Sequence, residues 1–331
     1  MAAIERNAAI ERIALPLRHV GSVNAWLLRG DPLTLVDTGP RNPGALAALE
    51  AGLGAHGVRL EDIELVAATH HHLDHVGLMA TIQQRSGARV AVLDGLAGYG
   101  ADYTARTRAE RSFSRELMAA HGVPPHVIAA TEGFWEYISA NSEPFHTDVR
   151  LREGDVIRAG GRDLRVVARP GHSTTDTLFV DDEHGLAFVG DHVLARISSN
   201  TEIYPGPGEN ETRPRARHSY LDSLRKTAQM PLEQLLTGHG AVVTRHAELI
   251  RDRLDEHEDR SQRIAEVLAK GPKTAYGVAA ELWPAQMIRE QPLLVLWEVL
   301  GHVDLMLGAG VLDERCADDG RSWFTRKVMA A

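Results

Sequence analysis

"ATHHHLDHVG", residues 68–77, places four histidines and an aspartate in the six positions 70–75. It is the end of "IELVAATH", an apolar run that reads as a strand, and it stops at a glycine. In extended backbone, alternate side chains point the same way. His70 and His72 therefore face one side together, and His71 faces away. A turn after Leu73 can bring Asp74 and His75 round to the same cavity. Imidazole nitrogens and carboxylate oxygens are ligands for zinc, iron or manganese.

Three more polar residues sit directly after apolar strands. They are His172 in "ARPGHSTTDT", Asp191 in "AFVGDHVL" and His239 in "LLTGHG". In a layered α/β fold such strand ends converge on one edge. Together the two groups supply five imidazoles and two carboxylates. One ion keeps three or four protein ligands and an open position. Seven ligands suit two ions, about 3.5–4 Å apart, with one carboxylate shared.

The rest of the chain supplies the layers. "RIALPL", "NAWLLRG", "LTLVDTG", "RVAVLD", "DLRVVARPGH", "DTLFVDD", "LAFVGDH" and "EQLLTGHG" read as short strands. "PGALAALEAGLGAHG", "LMATIQQRSG" and "ARHSYLDSLRKTAQ" read as helices, the first with proline at its start and glycine at its end. Sheets inside and helices outside make an α/β sandwich. Residues 95–147 break this rhythm and hold seven aromatics of the chain's 17. They read as a helical cap that either only packs on the core or also walls a substrate pocket. From residue 258 onward, three helical stretches precede a hairpin that turns near Asp319-Gly320. That order predicts a small winged-helix domain over 258–331, after a catalytic domain over 1–257.

Composition limits the partners. The chain has 331 residues, 44% hydrophobic and 24% charged, with a net charge of −9. That balance disfavours general binding to polyanions. The lone Cys316 excludes an internal disulfide framework and a cysteine-built metal cage. No apolar run reaches the roughly 18 residues of a membrane span. The N-terminal "MAAIERNAAIER" is charged where a signal peptide is apolar. These features read as a soluble, cytoplasmic protein. The repeated "AAIER" is too short to be a structural unit.

The combination HxHxDH, PGH, GD and GHG resembles the metallo-β-lactamase-fold hydrolases over residues 10–255. That resemblance implies a four-layer αββα sandwich with two divalent ions at one edge, zinc first, with iron or manganese as alternatives. It assigns His70, His72 and His172 to the first ion and Asp74, His75 and His239 to the second, with Asp191 bridging. Asp37 in "LVDTG" would orient a ligand rather than bind metal. A hydroxide held between the ions would be the nucleophile, and Asp74 would orient it and shuttle a proton.

Within the family, Asp191 and the absence of a core cysteine disfavour a true β-lactamase. The layout "GDHVL…SYLDSLRKTA…EQLLTGHG" with a C-terminal winged helix resembles a subgroup that includes a β-lactamase-like endoribonuclease and hydrolases of the hydroxyacylglutathione or acyl-CoA type. A small-molecule acyl substrate is therefore the first expectation, by ester or thioester cleavage. A lactone or RNA is the alternative, and a non-catalytic metal-binding protein comes last. Arg108, Arg111 and Arg115 share one helical face, and Arg213, Arg215 and Arg217 cluster. Either set could meet an anionic substrate group. Tyr204, in the turn-rich "SSNTEIYPGPG", could wall the pocket or donate a hydrogen bond. Residues 291–310 contain no Lys or Arg, which argues against reading nucleic acid with that helix. Residues 258–331 are therefore expected to pack on the catalytic domain or form a homodimer contact.

Overall fold

The computed structural model describes residues 10–17, 21–206 and 213–327. Most of the N-terminal duplication, and the end of the turn-rich loop at Pro207 and Gly208, lie outside them.

Two sheets form the centre. The first has six strands in sequential order: β1 (Ile10–Leu17), β2 (Gly21–Leu28), β3 (Thr34–Val36), β4 (Leu65–Ala67), β5 (Arg89–Leu93) and β6 (Val149–Leu151). β1, β2 and β3 pair antiparallel, and β3 through β6 pair parallel. The parallel half needs crossovers, and helices supply them. The second sheet contains β7 (Val156–Ala159), β8 (Arg162–Ala168), β9 (Thr177–Asp181), β10 (Leu186–Gly190) and β11 (Gln234–Thr237). Its spatial order is β11-β10-β9-β8-β7, with β10 and β11 parallel and the rest antiparallel.

Helices cover the outer faces. α1 (Pro43–Ala55) begins where Asn42 Oδ1 accepts from the amide of Ala45 at 2.9 Å. Such a cap satisfies one of the amides a helix start leaves free. α2 (Leu73–Val76) is the turn that follows His72, and α3 (Met79–Ser86) continues behind it. On the other face lie α8 (Ala216–Ala228) and α9 (His246–Ala269). Between the sheets, Trp26, Leu28, Val36, Phe179, Phe188 and Leu236 form one apolar layer. Trp26 meets Phe188 edge to face at 6.2 Å, and each such burial contributes roughly 1.5–3 kcal/mol. β9 and β10 are buried at every position, which is why they read as continuous apolar runs. The fold is the expected αββα sandwich.

The insertion is helical: α4 (Asp94–Ala101), α5 (Tyr103–Ala120), α6 (Pro125–Ala130) and α7 (Glu132–Ala140). Its Leu117, Met118, Val127 and Trp135 share an apolar cluster with the C-terminal helices. These are α10 (Ala275–Leu282), α11 (Ala285–Glu290) and α12 (Pro292–Gly308), followed by the hairpin β12 (Leu312–Cys316) and β13 (Ser322–Arg326). Residue 258, where the sequence reading divides the chain, falls within the continuous helix α9. Leu293, Val295, Leu296, Val299, Leu300 and Val303 of α12 are buried. Arg217 is wholly buried under α12, donating from Nη2 to Glu298 Oε2 at 2.5 Å. Arg213 holds Asp304 with two hydrogen bonds, at 2.6 and 2.8 Å.

His257 of α9 lies beside Arg217, whose Nη1 donates to its Nδ1 at 3.4 Å. Burial, then the charges of Arg217 and His302, depress His257 to about 3. A histidine depressed in the folded state gives its full stabilisation above its unfolded pKa near 6.5 and loses it as pH falls towards the folded value. The expected slope is about 1.4 kcal/mol per pH unit for this one group. A His257→Asn variant should therefore show a weaker acid loss of stability than the wild type, by that amount, in urea unfolding between pH 6.5 and 4.5. Parallel pH profiles for the two proteins would refute the assignment.

Candidate metal centre

His70 follows β4, and its ring is fully buried. His72 stands in extended backbone just before α2, and α2 carries Asp74 and His75. His172 follows β8, Asp191 follows β10, and His239 follows β11. Two backbone bonds tie these strand ends together across the edge. Asn24 donates to the Gly238 carbonyl at 2.7 Å, and Thr177 donates to the Thr69 carbonyl at 2.8 Å.

The seven residues come together. His72 Nδ1 lies 3.1 Å from His70 Nε2 and 3.0 Å from His172 Nε2. That is close to the edge of a tetrahedron of nitrogens about 2.0–2.1 Å from one ion. In the second group, His239 Nε2 and His75 Nε2 lie 3.3 and 3.8 Å from Asp74 Oδ2. Asp191 stands between the groups. Its Oδ1 is 3.5 Å from His75 Nε2, and its Oδ2 is 3.8 Å from His172 Nε2 and 3.3 Å from His239 Nε2.

The donors fit a pair of cations. His75 Nε2 and Asp191 Oδ1 are buried and have no hydrogen-bond partner. Leaving such atoms unpaired is costly, and metal coordination satisfies both. Gly238 leaves the space open: a Cβ there would run into Asp191 Oδ1 and come within 2.7 Å of the His75 ring. Burial and the neighbouring imidazoles push His172 down to about 4, and the same causes hold His70 far below its usual value. Neutral rings of this kind are ready to ligate. Burial opposes charge on His75 and His239, but the surrounding carboxylates prevail and raise them to about 9 and about 11. In the metal-free protein, protons therefore stand there in place of a cation.

Each ring is aimed by its second nitrogen or by a neighbour. Asp37, at φ +61°, accepts from the Thr69 amide and hydroxyl and pairs with His75 Nδ1, all at 2.8 Å. Thr69 Oγ1 in turn lies 3.1 Å from His70 Nδ1. His239 Nδ1 donates to the Ser22 carbonyl at 2.7 Å, and His172 Nδ1 to the Asn200 carbonyl at 2.8 Å. His71 stands outside the two groups of ligands but does not turn from His72, whose ring is 4.9 Å away. It packs on Tyr99 at 3.9 Å, and its Nδ1 meets Thr175 Oγ1 at 2.9 Å. Glu202 is a residue that sequence reasoning missed. Its Oε2 lies 3.4 Å from Nε2 of both His71 and His72. A lone acid in a turn-rich loop carries no periodic signal.

The arginines expected to meet substrate either lie exposed or have partners within the protein. α5 turns Tyr103, Thr107, Glu110, Ser114 and Leu117 inward, and Arg108 and Arg115 lie exposed on another face. Arg111 pairs with Glu132 of the insertion itself, and Arg115 lies 3.8 Å from the same carboxylate. Arg213 and Arg217 are committed to Asp304 and Glu298. The inward face of α5 instead brings the Tyr103 hydroxyl to the His71 carbonyl at 3.2 Å. Burial and the charge of Glu202 push Glu110 up to about 9. Tyr204 is half-buried two residues beyond Glu202. A further group, His257, Glu298 and His302, has metal-ligand spacing, but the guanidinium of Arg217 already lies on its carboxylate.

Residues 18–239 match the metallo-beta-lactamase superfamily. The chain belongs to that superfamily. It is 31% identical to a probable metallo-hydrolase, YqjP, of Bacillus subtilis, over 87% of this chain and 88% of that one. It is 27% identical to a hydroxyacylglutathione hydrolase of Cereibacter sphaeroides, a match that spans 53% of this chain and only 47% of the relative. In structure it is similar to a metallo-beta-lactamase family protein from Thermus thermophilus, with a TM-score of 0.81 at 24% identity, covering 96% of this chain and 99% of that one. The superfamily match ends at His239, whereas this structural likeness extends over most of the C-terminal helices as well. Among the described residues, no helix is long and apolar enough to cross a membrane.

Proposed function

We propose that this metallo-β-lactamase superfamily member is a dinuclear metal-dependent hydrolase that cleaves a small-molecule ester or thioester. The observation that carries this is the position of Asp191, with one oxygen towards His75 and the other towards both His172 and His239. Two divalent ions held by the seven residues would supply Lewis acidity and activate water for attack on a carbonyl. The chain's own groups do the rest. Asp37, fully enclosed, keeps His75 oriented. Asp74 is the most exposed carboxylate of the set, its side chain 28% accessible against 11% for Asp191. His75 and His239 outweigh the effect of burial and hold Asp74 at about 2, so it is ionised at neutral pH. It is the group placed to accept a proton and return it to a leaving group. Tyr204, half-buried near Glu202 in sequence, would donate a hydrogen bond to substrate.

A hydroxyacylglutathione hydrolase among the relatives favours a thioester. Residues 258–331 would form a winged-helix-like unit after a catalytic unit over 1–257. Glu298 and Asp304 of α12 are paired with arginines of the catalytic unit, which leaves that helix no basic face for phosphates. The test is a panel of acyl-CoA and acylglutathione thioesters, lactones and RNA, offered to metal-loaded protein. Release of free thiol at a rate that falls on chelation is expected. Cleavage of RNA with no turnover of thioester or lactone would overturn the assignment.

A further inference from the structure

The segment Asn200–Glu202 touches two of the residues grouped around the first metal position, and it does so three times. The Asn200 carbonyl accepts from His172 Nδ1 at 2.8 Å, and the Glu202 amide donates to the His172 carbonyl at 3.0 Å. The Glu202 carboxylate faces His72 Nε2 at 3.4 Å. His72 differs from His70 and His172 in turning Nδ1, rather than Nε2, to the shared centre. To ligate through Nδ1, a neutral imidazole must carry its proton on Nε2. An acceptor at Nε2 therefore selects the tautomer as well as the ring orientation. His71 brings its own Nε2 within 3.4 Å of the same oxygen, so Oε2 faces two imidazole nitrogens in a site where Glu202 is only 8% exposed.

The segment is itself held firmly. Asn200 Nδ2 donates to the Leu294 carbonyl of α12 at 2.7 Å, and Asn200 Oδ1 accepts from Arg217 at 3.3 Å. Ser199 Oγ donates to the Asp191 carbonyl, next to the shared carboxylate. Thr201 is fully buried. Strand ends alone thus do not aim the first group of ligands. A loop buttressed by the C-terminal helices does part of it.

We propose that Glu202 is a positioning residue for the first metal, fixing His72 with Nδ1 towards the ion through a carboxylate–imidazole contact at Nε2. The inference rests on the dinuclear reading above. Partners of this kind typically contribute about 10–100-fold to metal affinity.

The test is titration of metal-stripped protein with zinc against a chromophoric chelator, with cobalt absorption as a second readout. Wild type should take up two ions. Glu202→Ala should weaken one of them about 10–100-fold and leave the other nearly unchanged. Glu202→Gln should restore most of the loss, because its amide oxygen accepts the same N–H. In a His239→Ala background, where the remaining tight ion rests on His70, His72 and His172, Glu202→Ala should weaken that ion by the same factor. Wild-type affinity for both ions in Glu202→Ala, equal loss of both, or a glutamine variant as impaired as the alanine one would each overturn the proposal. Fewer than two ions in the wild type would instead sink the dinuclear reading beneath it.

Discussion

Asp191→Ala is expected to retain at most one tightly held divalent ion and to lose turnover by roughly 1,000-fold or more, the scale set by removing one electrostatic element from an active site. The reason is geometric. Asp191 is the residue that reaches both groups of ligands, His75 through Oδ1 and both His239 and His172 through Oδ2, and its Oδ1 is a buried acceptor without a hydrogen-bond partner. Removing it takes a negative charge from between two positions meant for cations, so the second cation meets the first with less screening. Metal analysis after dialysis against zinc, beside steady-state rates on whichever substrate the panel identifies, reads both effects. A variant that kept two ions per chain would refute the shared role, and one that kept wild-type turnover would remove the site from catalysis.

A second large effect is expected far from the metals. Glu298→Ala should destabilise the protein by about 3–5 kcal/mol, because it strands the fully enclosed guanidinium of Arg217 without its carboxylate. Burial favours a neutral Glu298, but Arg217 and then His302 outweigh it and hold the carboxyl well below its usual range, so the pair is ionised at neutral pH. α12 makes room for the guanidinium with Gly301, where a Cβ would stand 2.7 Å from Arg217 Nε. The double variant Arg217→Met/Glu298→Leu should recover most of the loss, since replacing both partners with apolar groups removes the unpaired charge. Urea unfolding of metal-stripped proteins measures both variants. A single variant within about 1 kcal/mol of the wild type would show that water or another group replaces Glu298 without the cost typical of a broken buried pair.

The two predictions differ in how much of each was legible beforehand. Asp191 could be read in the chain because, like His172 and His239, it directly follows an apolar strand, and strand ends meet at a sheet edge. The same logic reached His70, His72, Asp74, His75, His172 and His239, and the structure brings all of them within one site. Alternation in extended backbone kept His71 out of the two groups of ligands, but its ring still lies 4.9 Å from His72, because Glu202 draws both Nε2 atoms to one oxygen. Strand and helix positions were legible for the same reason, since burial on a sheet or a helix face imposes a period on the sequence.

The arginines show where such reasoning stops. Arg108, Arg111 and Arg115 share a helical face, but a period does not say which face meets the site. α5 turns its tyrosine, threonine and glutamate inward, and Glu132, 21 and 17 positions along the chain, lies against Arg111 and Arg115. Glu298 and Asp304 read as negative charges unsuited to nucleic acid, and the chain order says nothing of what they pair with. Their partners, Arg217 and Arg213, lie 81 and 91 residues away in the chain. Glu202 is the sharpest case, because no local pattern marks it and its meaning lies wholly in a contact with His72 across 130 positions. The sequence by itself determined which side chains the strand ends present and which faces are apolar, since those follow from local backbone geometry and the hydrophobic effect. Only the tertiary structure decided which charges are paired and which group aims each imidazole. Ion pairs and hydrogen bonds depend on distances of a few ångströms between segments that the order of residues does not bring together.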